Sequence, residues 1–249
     1  MIAANDVYKK YIGNNYFSVN GISFNVESGS VFGLLGHNGA GKSTTMKMLA
    51  TLYFPDKGAI EINGLNTSKN KFEIRKLLGV VYEEPRLYEQ LTGEENVLFN
   101  ASLSGLSKNR VMGRLKDLYQ ELDVDFQKHL VKKYSKGMRQ KIALIRALIT
   151  EPKLILLDEP TTGLDIVSRN QIRNYISKLK DKGMTIVITS HVAEDIEILC
   201  DRIVILSKGR IVENDTVSGL KNKYSAKTFE DAYIEVQKKF DGHGRLQNA

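Results

Sequence analysis

Cysteine is almost absent from this chain of 249 residues. The single one, Cys200, cannot form a disulfide within the chain, which is typical of proteins from a reducing compartment. It follows Ile196, Ile198 and Leu199, so we interpret it as a small core residue and not as a nucleophile.

Long apolar runs are also lacking. None approaches the roughly 20 residues needed to cross a bilayer, and residues 1–10 include polar and charged residues where a signal peptide needs its apolar stretch. Internal repeats, low-complexity tracts and long heptad runs are absent as well. We therefore expect an intracellular protein that is cytoplasmic when isolated, with its 42% hydrophobic and 26% charged residues forming one large α/β domain and a small subdomain.

The net charge of +7 is concentrated in residues 91–150, which hold eleven Lys and Arg against six Asp and Glu. A solvated helical surface explains this surplus as well as an acidic partner does. The stretch has no interleaved aromatic side chains on which bases could stack. We do not expect nucleic acid as a partner.

A glycine-rich loop at residues 36–43 reads Gly-His-Asn-Gly-Ala-Gly-Lys-Ser, between an apolar strand at 31–35 and a predicted helix. Its backbone N–H groups and the helix N-terminus predict a phosphate-binding loop. Lys42 is placed to reach the β- and γ-phosphates of a nucleotide, and the Ser43 hydroxyl to ligate Mg²⁺. The residues expected to bind the nucleoside triphosphate here are Gly36, His37, Asn38, Gly39, Ala40, Gly41, Lys42, Ser43 and Thr44.

Two carboxylates follow the apolar run 154–157, where a strand is expected to end beside the phosphate loop. We predict that Asp158 holds Mg²⁺, and that Glu159 is the general base that directs water at the γ-phosphate. His191 comes just after another apolar strand, at 185–189, and can reach the same edge to bond the γ-phosphate or the water. An isolated histidine is more often structural, but this position favours the functional interpretation.

Strand and helix patterns alternate along the chain. Period-two alternation near residues 22–26 predicts an early antiparallel β layer, and the later apolar runs, separated by helices, predict a mainly parallel sheet. A hairpin turn is expected at 207–210. Residues 91–150 are predicted to form a helical subdomain inserted in a domain spanning 1–217, followed by a tail at 218–249. That tail is expected to form a short docking helix and to fray after Phe240.

The segment Ser135, Lys136, Gly137 and Met138 precedes a second apolar helix. Ser135 is a good N-cap residue, which is a sufficient structural explanation. The alternative is that this helix N-terminus faces a phosphate held by a partner subunit. The spacing alone does not decide between them.

Together with residues 160–165, which read Pro-Thr-Thr-Gly-Leu-Asp, these motifs resemble the nucleotide-binding subunits of ABC transporters, over about residues 1–217. The resemblance implies a RecA-like P-loop NTPase fold and a head-to-tail dimer, with ATP between the Walker A loop of one subunit and the signature of the other. It also implies that residues 135–138 contact the partner's ATP and that Asp165 couples the two sites. Tyr11 lies where the family stacks an aromatic ring on adenine, with Tyr16 as a substitute because two residues are inserted.

The chain departs from the family's usual pattern at several positions. Tyr134, Lys136 and Met138 replace the commonest signature residues, although the Ser-x-Gly core is kept. Glu83 stands where the family usually carries a glutamine that senses Mg²⁺. A carboxylate about 4 Å from a phosphate charge is repelled by roughly 4 kcal/mol at an effective dielectric constant near 20. We predict that Glu83 is a metal-side ligand, with a solvated, idle side chain as the alternative.

The resemblance implies an ATPase that energises transport, by export, through a separate membrane subunit at the cytoplasmic face of the cell membrane. Resemblance points to bacterial exporters of drugs, antimicrobial peptides or ions. The membrane subunit is expected to dock between the Glu83 loop and the helical insertion, against Arg86, Leu87, Tyr88 and Phe99. The alternative is a soluble ABC ATPase that moves no solute, such as the iron–sulfur cluster assembly type. Kinases and GTPases are disfavoured because Glu159, His191 and the signature would have no joint purpose in them.

Overall fold

Two β-sheets and the helices around them form the structure, a computed structural model that describes residues 1–242. The strands are β1 Ile2–Lys9, β2 Val19–Val26, β3 Val31–Gly36, β4 Lys57–Ile62, β5 Leu65–Asn66, β6 Leu78–Val81, β7 Leu154–Asp158, β8 Thr185–Thr189, β9 Arg202–Ser207 and β10 Arg210–Asp215. The α-helices are α1 Lys42–Leu49, α2 Lys71–Leu77, α3 Gly93–Leu103, α4 Lys108–Glu121, α5 Lys136–Leu148, α6 Ile166–Asp181, α7 Ala193–Leu199, α8 Val217–Lys223 and α9 Phe229–Gly242.

The larger sheet has the strand order β10-β9-β3-β8-β7-β6. Every neighbouring pair is parallel except β9 and β10, which form the hairpin expected at 207–210. The central strands β3, β7 and β8 are short and almost wholly buried, as strands covered on both faces are. Because β3, β7 and β8 run the same way, their carboxyl ends meet at one edge, where Asp158 pairs with Thr189.

The smaller sheet, in the order β2-β1-β4-β5, is antiparallel and confirms the predicted β layer. Its apolar side packs with α1 against the larger sheet, and the rings of Phe24 and Phe32 stack with centroids 5.3 Å apart across that boundary. A second core lies where α5 and α6 cover the other face. This arrangement places the loop between β3 and α1 at the carboxyl edge of the sheet.

Helices α3, α4 and α5 pack together within residues 91–150. A capping box starts α3: the Thr92 hydroxyl accepts from the Glu95 backbone N–H at 3.2 Å, and the Glu95 carboxylate accepts from the Thr92 N–H at 2.8 Å. Ser135 caps α5, accepting from the Met138 N–H at 3.2 Å. The N-terminus of α5 is therefore capped by the chain's own Ser135.

The last two helices pack back onto the larger sheet. Phe229 and Val236 of α9 are buried in a cluster with Ile203 and Ile205 of β9, which agrees with the expected docking helix. Helix α9 continues to Gly242. Fraying is expected after Phe240. Of that stretch, residues 243–249 lie outside the described residues. Across residues 1–242, no helix has both the length and the apolar character needed to span a membrane.

Candidate functional site

The phosphate loop packs closely against the backbone of two neighbouring segments. Gly36 and Gly41 adopt positive φ angles of 147° and 110°, which L side chains rarely adopt. A Cβ atom would lie 2.4 Å from the Leu206 carbonyl oxygen at Gly36 and 2.5 Å from the Ser18 carbonyl oxygen at Gly41. Glycine is therefore required at both positions by the backbone behind the loop.

A small pocket opens over this loop, and seven of the nine residues of the predicted ATP-binding segment 36–44 line it. The two that do not are Gly36 and Ala40. The Gly36 carbonyl accepts a hydrogen bond from the Lys42 Nζ at 2.6 Å, and the Ala40 side chain is fully buried. Ser43 is exposed at the mouth of the pocket, so its hydroxyl is accessible. The lining residues are Tyr16, Ser18, His37, Asn38, Gly39, Gly41, Lys42, Ser43 and Thr44.

Lys42 is the buried cation of this pocket, and its Nζ also lies 3.3 Å from the His37 carbonyl oxygen. Burial lowers the pKa of its ammonium group, while the negative charges of Glu159 and Asp158 oppose that shift. The loop lysine and the two carboxylates therefore lie within electrostatic reach of one another, as the sequence predicts.

Asp158 is half-buried at the end of β7, and its Oδ1 accepts from the Thr189 hydroxyl at 2.7 Å. The same hydroxyl accepts from the Glu159 backbone N–H at 3.0 Å. Glu159 itself has a φ of 50°, an unusual angle for a residue other than glycine. One threonine on the neighbouring strand thus fixes both acidic residues. Sequence reasoning overlooked Thr189, which only the strand register brings opposite Asp158.

Glu159 is almost completely buried, at 6% exposure, and its side chain is held on several sides. Its Oε2 accepts from the Thr162 hydroxyl at 2.8 Å and from the His191 N–H at 3.0 Å. The His191 ring Nε2 lies 3.0 Å from Oε1. The structure therefore brings the predicted base into direct contact with the histidine that is predicted to bond the γ-phosphate or the water.

A buried ion pair lies behind these residues. Asp195 on α7 is fully buried and accepts from the Thr161 hydroxyl and from the Arg173 Nε, the latter at 3.0 Å. It therefore ties the segment after Glu159 to helices α6 and α7. We did not predict this network, because nothing in the local pattern around Asp195 or Arg173 indicates that they meet.

The predicted signature, residues 135–138, lies against the segment that carries Asp165. A Cβ atom on Gly137 would lie 2.6 Å from the Ser168 Oγ, and one on Gly163 would lie 2.7 Å from the Lys136 Nζ. Asp165 caps α6, accepting from the Ser168 N–H at 2.8 Å and from its hydroxyl at 2.7 Å. These bonds lower the pKa of the Asp165 carboxyl. None of residues 135–138 lines the pocket over the phosphate loop.

The two candidate adenine-stacking tyrosines occupy different places. The Tyr11 hydroxyl is 3.2 Å from the Thr44 Oγ1, and its ring meets that of Tyr53 edge-on with centroids 5.6 Å apart. Tyr16 lines the pocket and is 65% exposed. Stacking of Tyr11 on adenine stays a prediction. Tyr16, the alternative, lies next to the phosphate loop.

Glu83 is exposed, and within residues 1–242 it has neither a hydrogen bond nor an ion pair. The preceding residue, Tyr82, follows directly after β6, which pairs with β7 through Val81 and Leu157. Burial raises the pKa of the Tyr82 hydroxyl, and the negative charge of Asp158 adds to the shift. The Glu83 loop thus starts beside the predicted metal carboxylate.

Magnesium takes oxygen ligands and usually keeps water and phosphate oxygens along with one or two carboxylates. The Ser43 hydroxyl and the Asp158 carboxylate are donors of this kind, and Asp158 Oδ2 is not used by Thr189. No cluster of three or more His, Cys, Asp or Glu side chains suited to a metal occurs in residues 1–242. The residues present therefore fit a metal that is held jointly with a nucleotide.

A groove of about 600 Å³ lies between the helical insertion and the sheet. Its walls include Tyr82, Leu103 and Arg146. Two exposed aromatic side chains of this region, Tyr88 and Phe99, meet edge-on with centroids 5.3 Å apart. Leu87 is buried, and the carbonyl of Arg86 accepts from the Arg146 guanidinium at 2.9 Å.

Comparison with known proteins places these features in a family. Residues 19–162 match the model of the ABC transporter family. The ATP-binding protein NatA of Bacillus subtilis is 38% identical over 224 residues, covering 89% of this chain and 90% of that protein. The bacitracin transport ATP-binding protein BcrA of Bacillus licheniformis is 38% identical over 253 residues, covering 98% and 80%.

Solved structures agree with this result. An ATP-binding subunit of an ABC transporter superimposes with a TM-score of 0.86 at 31% identity, covering 96% of this chain and all of that one. A dimeric post-hydrolysis state of the cassette MJ0796, bound to ADP and Pi, superimposes with a TM-score of 0.79 at 25% identity, covering 87% and 98%. The predicted P-loop NTPase fold is confirmed.

Proposed function

The chain belongs to the ABC transporter family as an ATP-binding, ATP-hydrolysing subunit, and on that premise we propose that it energises export through a separate transmembrane subunit. The observation that carries the catalytic part is the contact of Glu159 with His191 beside the phosphate loop. Relatives named for transport of bacitracin and for resistance to daunorubicin and doxorubicin support the export of a drug or peptide.

In the proposed reaction, the loop amides and Lys42 bind the phosphates of ATP. Ser43 and Asp158 would hold Mg²⁺, which would neutralise charge on the phosphates when bound. Glu159 accepts a proton from the attacking water, and its orientation is set by Thr162 and by the His191 backbone. The His191 ring, half exposed beside Glu159, donates to the γ-phosphate or to the water.

We propose that a second nucleotide-binding subunit completes the site. Residues 135–138 would contact its ATP, and Asp165 would couple the two sites. In support, the Ser135 cap and the Asp165 cap lie side by side and leave exposed the apolar pair Ile166 and Val167. A relative solved as a dimer in its hydrolytic cycle is consistent with this assembly.

The groove beside Tyr82 is the proposed docking site of the membrane subunit, with the exposed pair Tyr88 and Phe99, which lie outside its lining, as further contacts. This would place the protein at the cytoplasmic face of the membrane, as a peripheral subunit. We also propose the division into an ATPase domain at 1–217, with its helical insertion at 91–150, and a tail at 218–249.

The test is affinity purification of the tagged chain from detergent-solubilised native membranes. We expect an integral membrane protein to be recovered in stoichiometric amount. The double variant Tyr88→Ala with Phe99→Ala should lose this protein, while the control Lys42→Ala should retain it but lose ATP affinity. Recovery of soluble partners alone, unaffected by the groove variant, would favour the non-transport alternative of the iron–sulfur assembly type.

A further inference from the structure

Tyr134, the residue directly before the signature serine, uses its hydroxyl to join two other parts of the helical insertion. It accepts from the Gly93 N–H at 3.2 Å and donates to the Phe126 carbonyl at 2.9 Å. Its ring meets that of Phe126 edge-on with centroids 5.1 Å apart. The side chain is buried, at 6% exposure, so neither bond is readily exchanged for water.

The hydrogen bonds of the Tyr134 hydroxyl help to position Ser135. The Gly93 N–H is one of the four unpaired donors at the start of α3, and the Tyr134 hydroxyl satisfies it. Because Tyr134 is followed at once by the N-cap of α5, the bond fixes the N-terminus of α5 relative to that of α3.

Helix α3 also forms part of the groove wall, through Leu103. The Asn96 side chain is buried and holds Tyr88 at both backbone groups, accepting from its N–H at 2.7 Å and donating to its carbonyl at 3.0 Å. Tyr88 contacts Phe99 on the same helix. The helix whose start is bonded to Tyr134 therefore also positions the exposed aromatic pair.

We propose that Tyr134 is a positioning residue for the signature, whose hydroxyl holds Ser135 and Gly137 ready to bind the partner's ATP by bracing them against α3. This inference rests on the proposed ATP-sandwich dimer. Since Tyr134 does not line the pocket over the phosphate loop, loss of its hydroxyl should weaken dimer closure and leave ATP binding to the chain's own phosphate loop unchanged. Preorganisation of this kind raises affinity by removing an ordering cost from the binding step.

The experiment uses the full chain carrying Glu159→Gln, in which ATP-dependent dimers should accumulate, and measures dimerisation by analytical ultracentrifugation at saturating ATP and Mg²⁺. We expect Tyr134→Phe to raise the dimer dissociation constant by about five- to tenfold, as loss of one or two hydrogen bonds would. The dissociation constant of a fluorescent ATP analogue from the monomer should stay within about twofold.

Tyr119 on α4 provides the matched control. It is also a buried tyrosine of the helical insertion, but within residues 1–242 its hydroxyl has no hydrogen-bond partner. Tyr119→Phe should therefore leave dimerisation unchanged. If it weakens closure as much as Tyr134→Phe does, the effect is one of general packing and the proposal is wrong.

Gly93→Ala gives a second test that does not depend on deleting the hydroxyl. A Cβ atom there would lie 2.5 Å from the Tyr134 hydroxyl, so the alanine should displace it and weaken closure as well. In the Tyr134→Phe background the same alanine should cost less, giving a non-additive double-mutant cycle.

Fully additive effects, or unaltered closure in Tyr134→Phe, would overturn the positioning role. If the parent Glu159→Gln chain does not dimerise with ATP at all, the sandwich dimer itself fails instead.

Discussion

The Glu159 carboxylate faces His191 with both of its oxygens: Oε1 lies 3.0 Å from the ring Nε2, and Oε2 accepts from the backbone N–H at 3.0 Å. The backbone bond does not depend on the protonation of the ring. Glu159 is therefore oriented by the chain around His191, while the half-exposed ring is able to turn towards a ligand.

Glu159→Gln should bind ATP with near-normal affinity but lower the rate of hydrolysis by about 10² to 10⁴, the usual contribution of a general base. The measurement is single-turnover hydrolysis together with ATP binding. Glu194→Gln, which changes a mostly exposed carboxylate at the start of α7, is the control and should hydrolyse ATP normally. Robust turnover by Glu159→Gln would remove the base assignment.

Tyr11→Ala should weaken ATP binding by about 1–3 kcal/mol if its ring stacks on adenine, and Tyr11→Phe should keep most of the affinity despite losing the bond to Thr44. Tyr16→Ala is the matched variant, because this exposed ring lines the pocket. Equilibrium binding of ATP and of a base-free triphosphate separates stacking from phosphate contacts. A loss confined to Tyr16→Ala would assign the stacking to Tyr16.

Glu83→Gln should lower the Mg²⁺ concentration needed for half-maximal hydrolysis, because a carboxylate near the phosphates is tolerated only with the metal beside it. Glu84→Gln, at the adjacent exposed position, should leave the Mg²⁺ dependence as it is. Titrations of Mg²⁺ at fixed ATP make the comparison. If both variants behave like the parent, Glu83 is an idle surface residue.

Asp195→Ala should destabilise the fold by roughly 3–5 kcal/mol, because it leaves the buried Arg173 without its main partner. Combining it with Arg173→Met should recover much of that loss, since the unpaired charge is then gone. Urea denaturation of the three variants and the parent measures the effect. A double variant less stable than Asp195→Ala would show that the pair does more than neutralise a buried charge.

Acid should remove the stabilisation that Asp165 provides to α6. Its pKa is lowered in the folded chain by the bonds from Ser168, so the benefit is complete above the unfolded pKa near 3.8 and is lost as pH falls through the lower folded value. Denaturation of the parent and of Asp165→Asn between about pH 2.5 and pH 6, a window around that value, should show a stability difference that shrinks towards the acid end. A difference that grows in acid would contradict this.

The parts of the site that sequence could predict are those carried by contiguous residues. The phosphate loop, the end of β7 and the position of His191 each follow from an apolar strand and the polar residues after it. Contacts between distant segments could not be read in this way. Thr189 reaches Asp158 only through the register of two strands, and the Tyr134 hydroxyl reaches Gly93 across 41 residues.

The close packing behind the phosphate loop has a consequence for how mutants of this protein are interpreted. Alanine at Gly36 or Gly41 would press on the backbone of neighbouring segments, so loss of activity there would report damage to the scaffold and not to ATP contacts. A Cβ atom on Gly39 would meet no other atom within 4 Å, although the φ of 81° at this residue still makes a side chain costly. Among these three glycines, Gly39 is the one whose substitution would strain only its own backbone and press on no neighbouring segment.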